Sequence, residues 1–354
     1  MLIHMFGGVK LMPTYENIDF KFEAISLMNK VIQNKNDDEK IFENYLSYGL
    51  DSKVVNELFQ NYNQFKESVL SEVGEITSKE QVYFEKLSKN ELPFLISFYN
   101  FYKYQDDKSF PACLDNFFQL YLEELINEQV KEINLSILIS KLKEFDLPDR
   151  NQLLLINFYN DGEKIFQELM EEVNQVARVI ESKYDIIKDD IEKFIEKLKQ
   201  MPDITNQINN LLGGSLLLND DYSLHIMIFS YNQMTINNYD NAGYHVYLGY
   251  LLFKMMELKE TNVYEEKRLL NMLKAISDPT RFKILKLLKE KNMYNQEIAK
   301  EIGLTTATLA HHLDILLNEG IIGVEISQED KRRIYYSLRP KALKIITSTL
   351  ERIL

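Results

Sequence analysis

The sequence predicts a mainly α protein: a helical N-terminal domain with a small α+β segment, followed by three short helices and a β-hairpin. Three observations carry this reading. From Tyr15 to about Gln200, apolar and aromatic residues recur at helical spacing with few breakers. Between 203 and 262, clusters of turn residues flank short alternating segments. From Leu273 to Leu338, helical stripes closed by Gly303 and Gly320 give way to the alternation Val324, Ile326, Ile334, Tyr336, Leu338.

Within the first stretch the pattern predicts five to seven helices. Phe42, Tyr45 and Leu46, and the run Phe94, Leu95, Phe98, Phe101 and Tyr102 after Pro93, are spaced as core residues; lining of a ligand pocket is the alternative for some of them. Asp161-Gly162 opens the longest periodic stretch, in which Phe166, Leu169, Val173, Val176, Ile180, Tyr184, Ile187, Ile191, Phe194 and Leu198 fall three or four apart until Pro202. It reads as a long helix or kinked pair packed inside its own domain. A near-heptad seam that dimerises is the competing reading.

After Pro202, turn signals come at Gly213-Gly214, Asn219-Asp220-Asp221 and Asn237 to Gly243, flanking short alternating segments, Leu224 to Tyr231 in particular, where a few strands are expected. A helix should follow with Tyr247, Leu248, Leu251, Leu252, Met255 and Met256 on one face. The polar stretch from Lys259 to Asn262 marks a boundary. The expected division is therefore 1–202 helical domain, 203–262 small α+β segment belonging with it, and 263–354 C-terminal module.

The length of 354 residues suits two or three domains at ~100–200 residues each. Apolar residues at 45% and only 12 Gly and 7 Pro describe a folded chain without linker-like bias. The single cysteine, Cys113, excludes an internal disulfide and a Cys-rich zinc site, and fits a reducing compartment, so the cytoplasm is expected. No apolar run approaches the ~20 residues of a membrane helix, and Met1 to Tyr15 lack the basic start and apolar core of a signal peptide.

The net charge of −13 is unevenly spread. Glu265 to Leu354 carries 16 Lys and Arg against 12 Asp and Glu, and the remainder 25 against 42. Affinity for a polyanion depends on the local patch, so a basic end and an acidic companion suit separate tasks.

The C-terminal elements can be justified one by one. Asp278 is placed to cap a helix that starts at Pro279, where the missing N–H costs nothing; Leu273, Ile276, Ile284, Leu285, Leu287 and Leu288 form the apolar stripe. Ile298, Ala299 and Ile302 define the next helix, ended by Gly303. Thr305 caps a third helix, followed by Thr306, and leaves the positive helix end toward phosphate. Leu309, Leu313, Leu316 and Leu317 share one face of it. At about 100° per residue the opposite face carries Ala307, Thr308 and His311, small and polar as a helix entering the DNA major groove requires.

Thr308 and His311 are the candidates for base contacts. His312 lies on the flank as a structural histidine or phosphate donor. Neighbouring histidines point about 100° apart on a helix, so this pair does not suggest metal. Beyond Gly320 a hairpin carries Lys331, Arg332 and Arg333 at its tip and return strand, where cations serve phosphate or the minor groove.

This order of helices and hairpin is that of a winged helix-turn-helix. The stretch Ala275-Ile276-Ser277-Asp278-Pro279-Thr280-Arg281-Phe282-Lys283-Ile284-Leu285, residues Thr308 to Leu313, and Arg332-Arg333-Ile334-Tyr335-Tyr336-Ser337-Leu338 together resemble the ArsR family of bacterial winged-helix repressors, over about a quarter of the chain. The resemblance implies a homodimer on a near-palindromic operator, repression, and release by an effector. It also implies a structural role for Arg281, which matches the family's helix-one arginine. The paired cysteines of metal-sensing members fall here on Tyr294 and Gln296, and the last helix, from Lys341, has no histidine. A non-metal effector, small molecule or protein, sensed by the N-terminal domain is therefore expected, with no metal or cofactor. Ala310 replaces the family's usual serine.

The chain has no G-x-S-x-G, no Gly-rich phosphate loop and no H-E-x-x-H, so no enzyme is expected. His4, His225 and His245 are too scattered to define a site, and the last two read as structural. The competing functional reading makes the N-terminal domain an oligomerisation or protein-interaction scaffold with the Phe166 to Leu198 seam as its contact.

Overall fold

The computed structural model describes residues 13–33, 37–47, 50–76, 81–85, 93–105, 109–126, 130–144, 147–201, 203–211, 218, 221–239, 243–259, 262–326 and 334–353. Among them the fold is mainly α, as predicted, with a small sheet in the N-terminal part and a helical C-terminal module closed by a hairpin. Their side chains form two hydrophobic clusters. One runs from Phe22 to Met255, the other from Leu269 to Ile346.

Among the described residues the first stretch contains eight α-helices rather than five to seven: α1 (Phe20–Ile32), α2 (Asp37–Ser47), α3 (Ser52–Val73), α4 (Phe94–Lys103), α5 (Phe110–Ile126), α6 (Leu135–Leu142), α7 (Asp149–Lys183) and α8 (Lys188–Gln200). Side-chain caps start several of them. Asp19 accepts from Lys21 N and Phe22 N at 3.1 and 3.0 Å, Asp51 from Lys53 N at 2.7 Å, and Asn134 from Ile137 N at 3.0 Å. Phe94, Leu95, Phe98 and Phe101 are core, as their spacing predicts, while Tyr102 is exposed; Phe94 and Phe98 meet Phe158 edge-on, both at 4.8 Å between ring centroids.

Asp161-Gly162 does mark a break, with helix on both sides of it: α7 is two helical segments between Asp149 and Lys183 that meet at a kink where Asp161, at φ −121° and ψ 20°, is non-helical, and Gly162 sits buried against Leu114 and Phe158. A short 3-10 turn at Tyr184–Ile186 then separates α7 from α8. Phe166, Leu169, Val173, Ile180, Ile191 and Leu198 are buried within the chain's own core, against α1 and α3 among others. The periodic seam is thus consumed by internal packing. Pro202, expected to end it, lies outside the described residues.

After α9 (Ile204–Leu211), the small sheet has the order β1-β2-β4-β3, with β1 (Thr14–Tyr15), β2 (Tyr222–Met227), β3 (Met234–Tyr239) and β4 (Gly243–Gly249). β1 and β2 pair in parallel with Thr14 opposite Ser223, β2 and β4 in parallel with Leu224 opposite Val246, and β3 runs antiparallel to β4. Tyr247 and Leu248 therefore belong to β4, and the helix expected to include them, α10 (Leu252–Lys259), starts later. β4 is buried from His245 onward, so its apolar residues form a continuous run that periodicity cannot tell from a buried helix. The turn residues Gly213-Gly214 and Asp240 to Ala242 lie outside the described residues.

Because β2 and β3 flank β4, the connection Ile228 to Gln233 crosses over the end of β4. Gly249 N donates to Gln233 O at 2.8 Å and Leu251 N to Tyr231 O at 3.0 Å. A Cβ on Gly249 would lie 2.2 Å from the backbone of Tyr231. The crossing is buried at Ile228, Phe229 and Tyr231, and its amides need internal acceptors. Glu23 of α1 supplies them: its two carboxylate oxygens accept from Ile228 N and Phe229 N, each at 2.9 Å. Farther along, Asp38 accepts from Tyr231 Oη at 2.9 Å, from Tyr62 Oη at 3.2 Å, and from Lys66 and Lys30 Nζ at 2.8 and 3.3 Å. Burial alone would raise Asp38; the two lysines hold its carboxyl below the ordinary range.

The C-terminal module comprises α11 (Asn262–Ser277), α12 (Pro279–Glu290), β5 (Met293–Tyr294), α13 (Asn295–Ile302), α14 (Thr306–Asn318), β6 (Ile322–Ile326), β7 (Ile334–Leu338) and α15 (Pro340–Ile353). The hairpin register, Val324 opposite Tyr336 and Ile326 opposite Ile334, follows the predicted alternation. A third strand, β5, joins it through Met293 opposite Tyr336. At two residues it leaves no periodic signal.

Two stability predictions follow from the crossing. Gly249→Ala should cost about 3 kcal/mol, because backbone rather than a flexible side chain stands in the way, and calorimetry would register the loss. Burial pushes Glu23 up to about 7 despite its two backbone donors. A raised carboxyl binds its proton more tightly when folded, so the proton's contribution is complete below the unfolded value of about 4.3 and is lost as pH rises through about 7. Urea unfolding should show stability declining across that window, and Glu23→Gln should remove the slope while costing about 1–3 kcal/mol for the displaced acceptor.

Candidate nucleic-acid interface

The turn between α13 and α14 is built from local rules. Gly303, at φ 77°, takes the left-handed conformation that ends α13, with Gly303 N and Leu304 N both bonded to Ala299 O at 2.9 and 3.0 Å. Thr305, in extended conformation, accepts from Thr308 N at 3.2 Å and caps α14. Leu309, Leu313 and Leu316 are fully buried behind the helix. Thr305, Thr306, Thr308 and His311 are exposed on its other side, and Ala307 belongs to the first turn of α14. The free amides of that turn carry partial positive charge.

His312 takes a different direction from His311. Its side chain is 17% exposed, and Nδ1 lies 3.6 Å from Asp278 Oδ1, too long for a hydrogen bond but within ion-pair reach when the imidazole is charged. The same oxygen accepts from Arg281 N at 2.9 Å, capping α12. That backbone N–H, with the Arg281 and His312 charges, holds Asp278 below the usual carboxylate range. Arg281 Nε and Nη2 donate to Ala275 O and Lys274 O at 2.5 and 3.1 Å, closing the last turn of α11. The structural role expected for Arg281 is visible in those bonds. The approach of His312 to Asp278 depends on how α12 and α14 pack, which local pattern does not encode.

Lys331, Arg332 and Arg333 lie outside the described residues; β6 and β7 are paired as far as Ile326 opposite Ile334. Tyr294 ends β5 rather than sitting inside a helix, and its ring meets Tyr335 edge-on at 5.8 Å; Gln296 is exposed on α13. Among the described residues, no group of three or more His, Cys, Asp and Glu is arranged to hold a metal ion.

Two histidines far apart in sequence do meet. His225 Nε2 and His245 Nδ1 are 2.9 Å apart on one face of the N-terminal sheet, with His225 stacked on Tyr247 and the Tyr104 ring 4.0 Å from that of His245. Both are buried. Burial, then the neighbouring His245 and Lys103, push His225 down to about 3, so it stays neutral. His4 lies outside the described residues.

Residues 278–324, from the cap of α12 to the middle of β6, match the family model "Bacterial regulatory protein, arsR family". The chain is 42% identical over 77 residues to the Transcriptional repressor SdpR of Bacillus subtilis, spanning 21% of this chain and 79% of that protein. It is 34% identical over 83 residues to the HTH-type transcriptional regulator YgaV of Escherichia coli, 23% of this chain and 81% of the relative. An uncharacterized HTH-type transcriptional regulator of Methanocaldococcus jannaschii shares 38% over 76 residues, 21% and 83% respectively. Each relative is contained here over most of its length while filling little more than a fifth of the chain. The capped reader helix and its hairpin are thus the part by which this chain belongs to the arsR family, as a DNA-binding transcriptional regulator.

Proposed function

We propose that this chain is a dimeric, cytoplasmic repressor in which residues 263–354 read a near-palindromic operator and residues 1–262 sense a non-metal effector that releases the DNA. The observation that carries the reading is the two-sided α14. Three buried leucines fix the helix on its module, and Thr306, Thr308 and His311 stand exposed on the face that a major groove would meet. Thr305, Thr306 and Ala307 bring the amide-rich first turn to phosphate, and Lys331, Arg332 and Arg333 of the hairpin reach the backbone or minor groove beside it. His312, turned toward Asp278, supports the helix and can reach phosphate only from its flank.

Dimerisation is supported by the outer surface of the module. α11 and α15 pack together, and Leu270 on the first and Ile345 on the second remain 50% and 40% exposed. Two such helix pairs facing across a two-fold axis would bury these side chains and set the reader helices about 34 Å apart, one turn of DNA. Release by an effector rests on the resemblance to repressors and on the acidic N-terminal part, whose charge disfavours DNA contact. The scaffold alternative loses its proposed seam, since Phe166 to Leu198 is occupied inside the chain.

Footprinting across fragments of the source genome should reveal a protected near-palindrome, lost in a His311→Ala, Arg332→Ala double variant. Wild-type protection by that variant would refute the assignment. Arg332→Ala alone should lower the salt slope of binding by about one unit and weaken all sequences alike. Sedimentation equilibrium should find a dimer, with Leu270→Glu raising its dissociation constant by about 100-fold, the scale of an interface anchor. A Leu270→Glu chain as dimeric as the wild type places the interface elsewhere.

A further inference from the structure

Arg339 stands between the end of β7 and the start of α15. Its backbone is fixed to the C-terminal module: the N–H donates to Ile321 O and the carbonyl accepts from Ala342 N, both at 3.0 Å. Its side chain leaves that module. Nη2 donates at 2.9 Å to the carbonyl of Leu211, the last residue of α9 in the N-terminal part. The final carbonyls of a helix lack internal donors and carry partial negative charge, so a guanidinium there satisfies both needs.

The seat has two further marks. Gly323 of β6 lies under the guanidinium, and a Cβ there would come within 2.7 Å of Nε and 3.2 Å of Nη2, so the strand leaves room for this side chain by having none of its own. Nε itself is buried with no hydrogen-bond partner among the described residues. Only part of the donor fork is used, so a single side-chain hydrogen bond of Arg339 joins the module to α9 among the described residues.

On the other side, α9 is fastened to the sheet. Asn209 exchanges hydrogen bonds with the backbone of Leu218, Nδ2 to the carbonyl at 3.2 Å and the N–H to Oδ1 at 3.0 Å. Thr205 Oγ1 lies 3.4 Å from Tyr222 Oη at the start of β2, and Ile208 is fully buried. β2 leads into the crossing that Glu23 holds. A continuous line therefore runs from the hairpin–α15 junction through α9 to the centre of the N-terminal core.

We propose that Arg339 is a latch between the two parts: with its guanidinium on the α9 carbonyl they move as one body, and on release the reader turns independently. This rests on the proposed reading that the N-terminal part controls DNA binding, and it names the contact through which that control passes.

The test uses the full chain labelled at Lys193→Cys on α8 and Lys289→Cys on α12, both exposed positions, with Cys113 buried and out of reach of the label. Pulsed electron-spin distances should give one narrow distribution. Arg339→Gln should broaden it by about twofold or more, and Arg339→Lys, which keeps the cation, should stay narrow. Hydrogen exchange on the same variants should show lost protection at the last turn of α9 with the β6–β7 hairpin unchanged. An Arg339→Gln distribution as narrow as the wild type overturns the latch; so does loss of hairpin protection, which would make Arg339 a core residue of its own module. Absence of duplex binding by the wild-type chain would sink the DNA reading and leave the distance result standing.

Discussion

The carboxylate of Glu23, buried at the centre of the N-terminal part, receives the amides of Ile228 and Phe229 and so allows a stretch of irregular backbone to pass through a hydrophobic interior. Water cannot serve those amides there, and leaving them bare would cost about 1–3 kcal/mol each. With them satisfied, β2 and β3 can lie on opposite sides of β4, and the aromatic rings of the crossing can pack outward. Phe229 stacks on Phe65 at 5.6 Å and Tyr231 meets Tyr62 at 4.7 Å, which fixes α3 against the sheet. Asp38 gathers Tyr62, Tyr231 and two lysines at the far end of the same segment. Helices α1, α2 and α3 are thus tied to one loop by two carboxylates, in a chain whose acidic excess lies in this part.

The C-terminal module solves a smaller problem by other means. Its helices are short, and each boundary carries its own device: Asp278 and Arg281 join α11 to α12, Gly303 turns the chain, and Thr305 opens α14. Such caps fix where a helix starts and points, which matters more for a DNA reader than overall stability does, since base edges are read at hydrogen-bond distances. The leucine face then holds the oriented helix in place.

The same contrast explains what the sequence discloses. Asp278, Gly303, Thr305 and the hairpin alternation act over a few residues, and all stand where the pattern puts them. The exposure of Thr308 and His311 followed from a 100° step alone. Pattern and fold part where tertiary burial overrides period: β4, buried from His245 onward, has the unbroken apolar run of a helix start, whereas the Asp161-Gly162 boundary is kept as the kink of α7. The Phe166 to Leu198 stripe has the period of a dimer seam, but its burial is decided by α1 and α3, whose positions no window of sequence contains. His225 with His245, and His312 with Asp278, are likewise contacts of packing rather than of spacing.

The pairing of Thr14 with Ser223 has a consequence for synthesis. Strands from opposite ends of the N-terminal part share one sheet, and β2 reaches its neighbour β4 only when residue 249 is in place. Contacts so distant along the chain close late and slowly, and domains of a nascent protein tend to complete in order from the N-terminus. The helices α1 to α8 must therefore wait on the ribosome with their central sheet unformed, while the module that follows needs only its own local contacts. On a growing chain, the N-terminal part can close only after nearly all of its own residues are made, and the C-terminal module is completed after it.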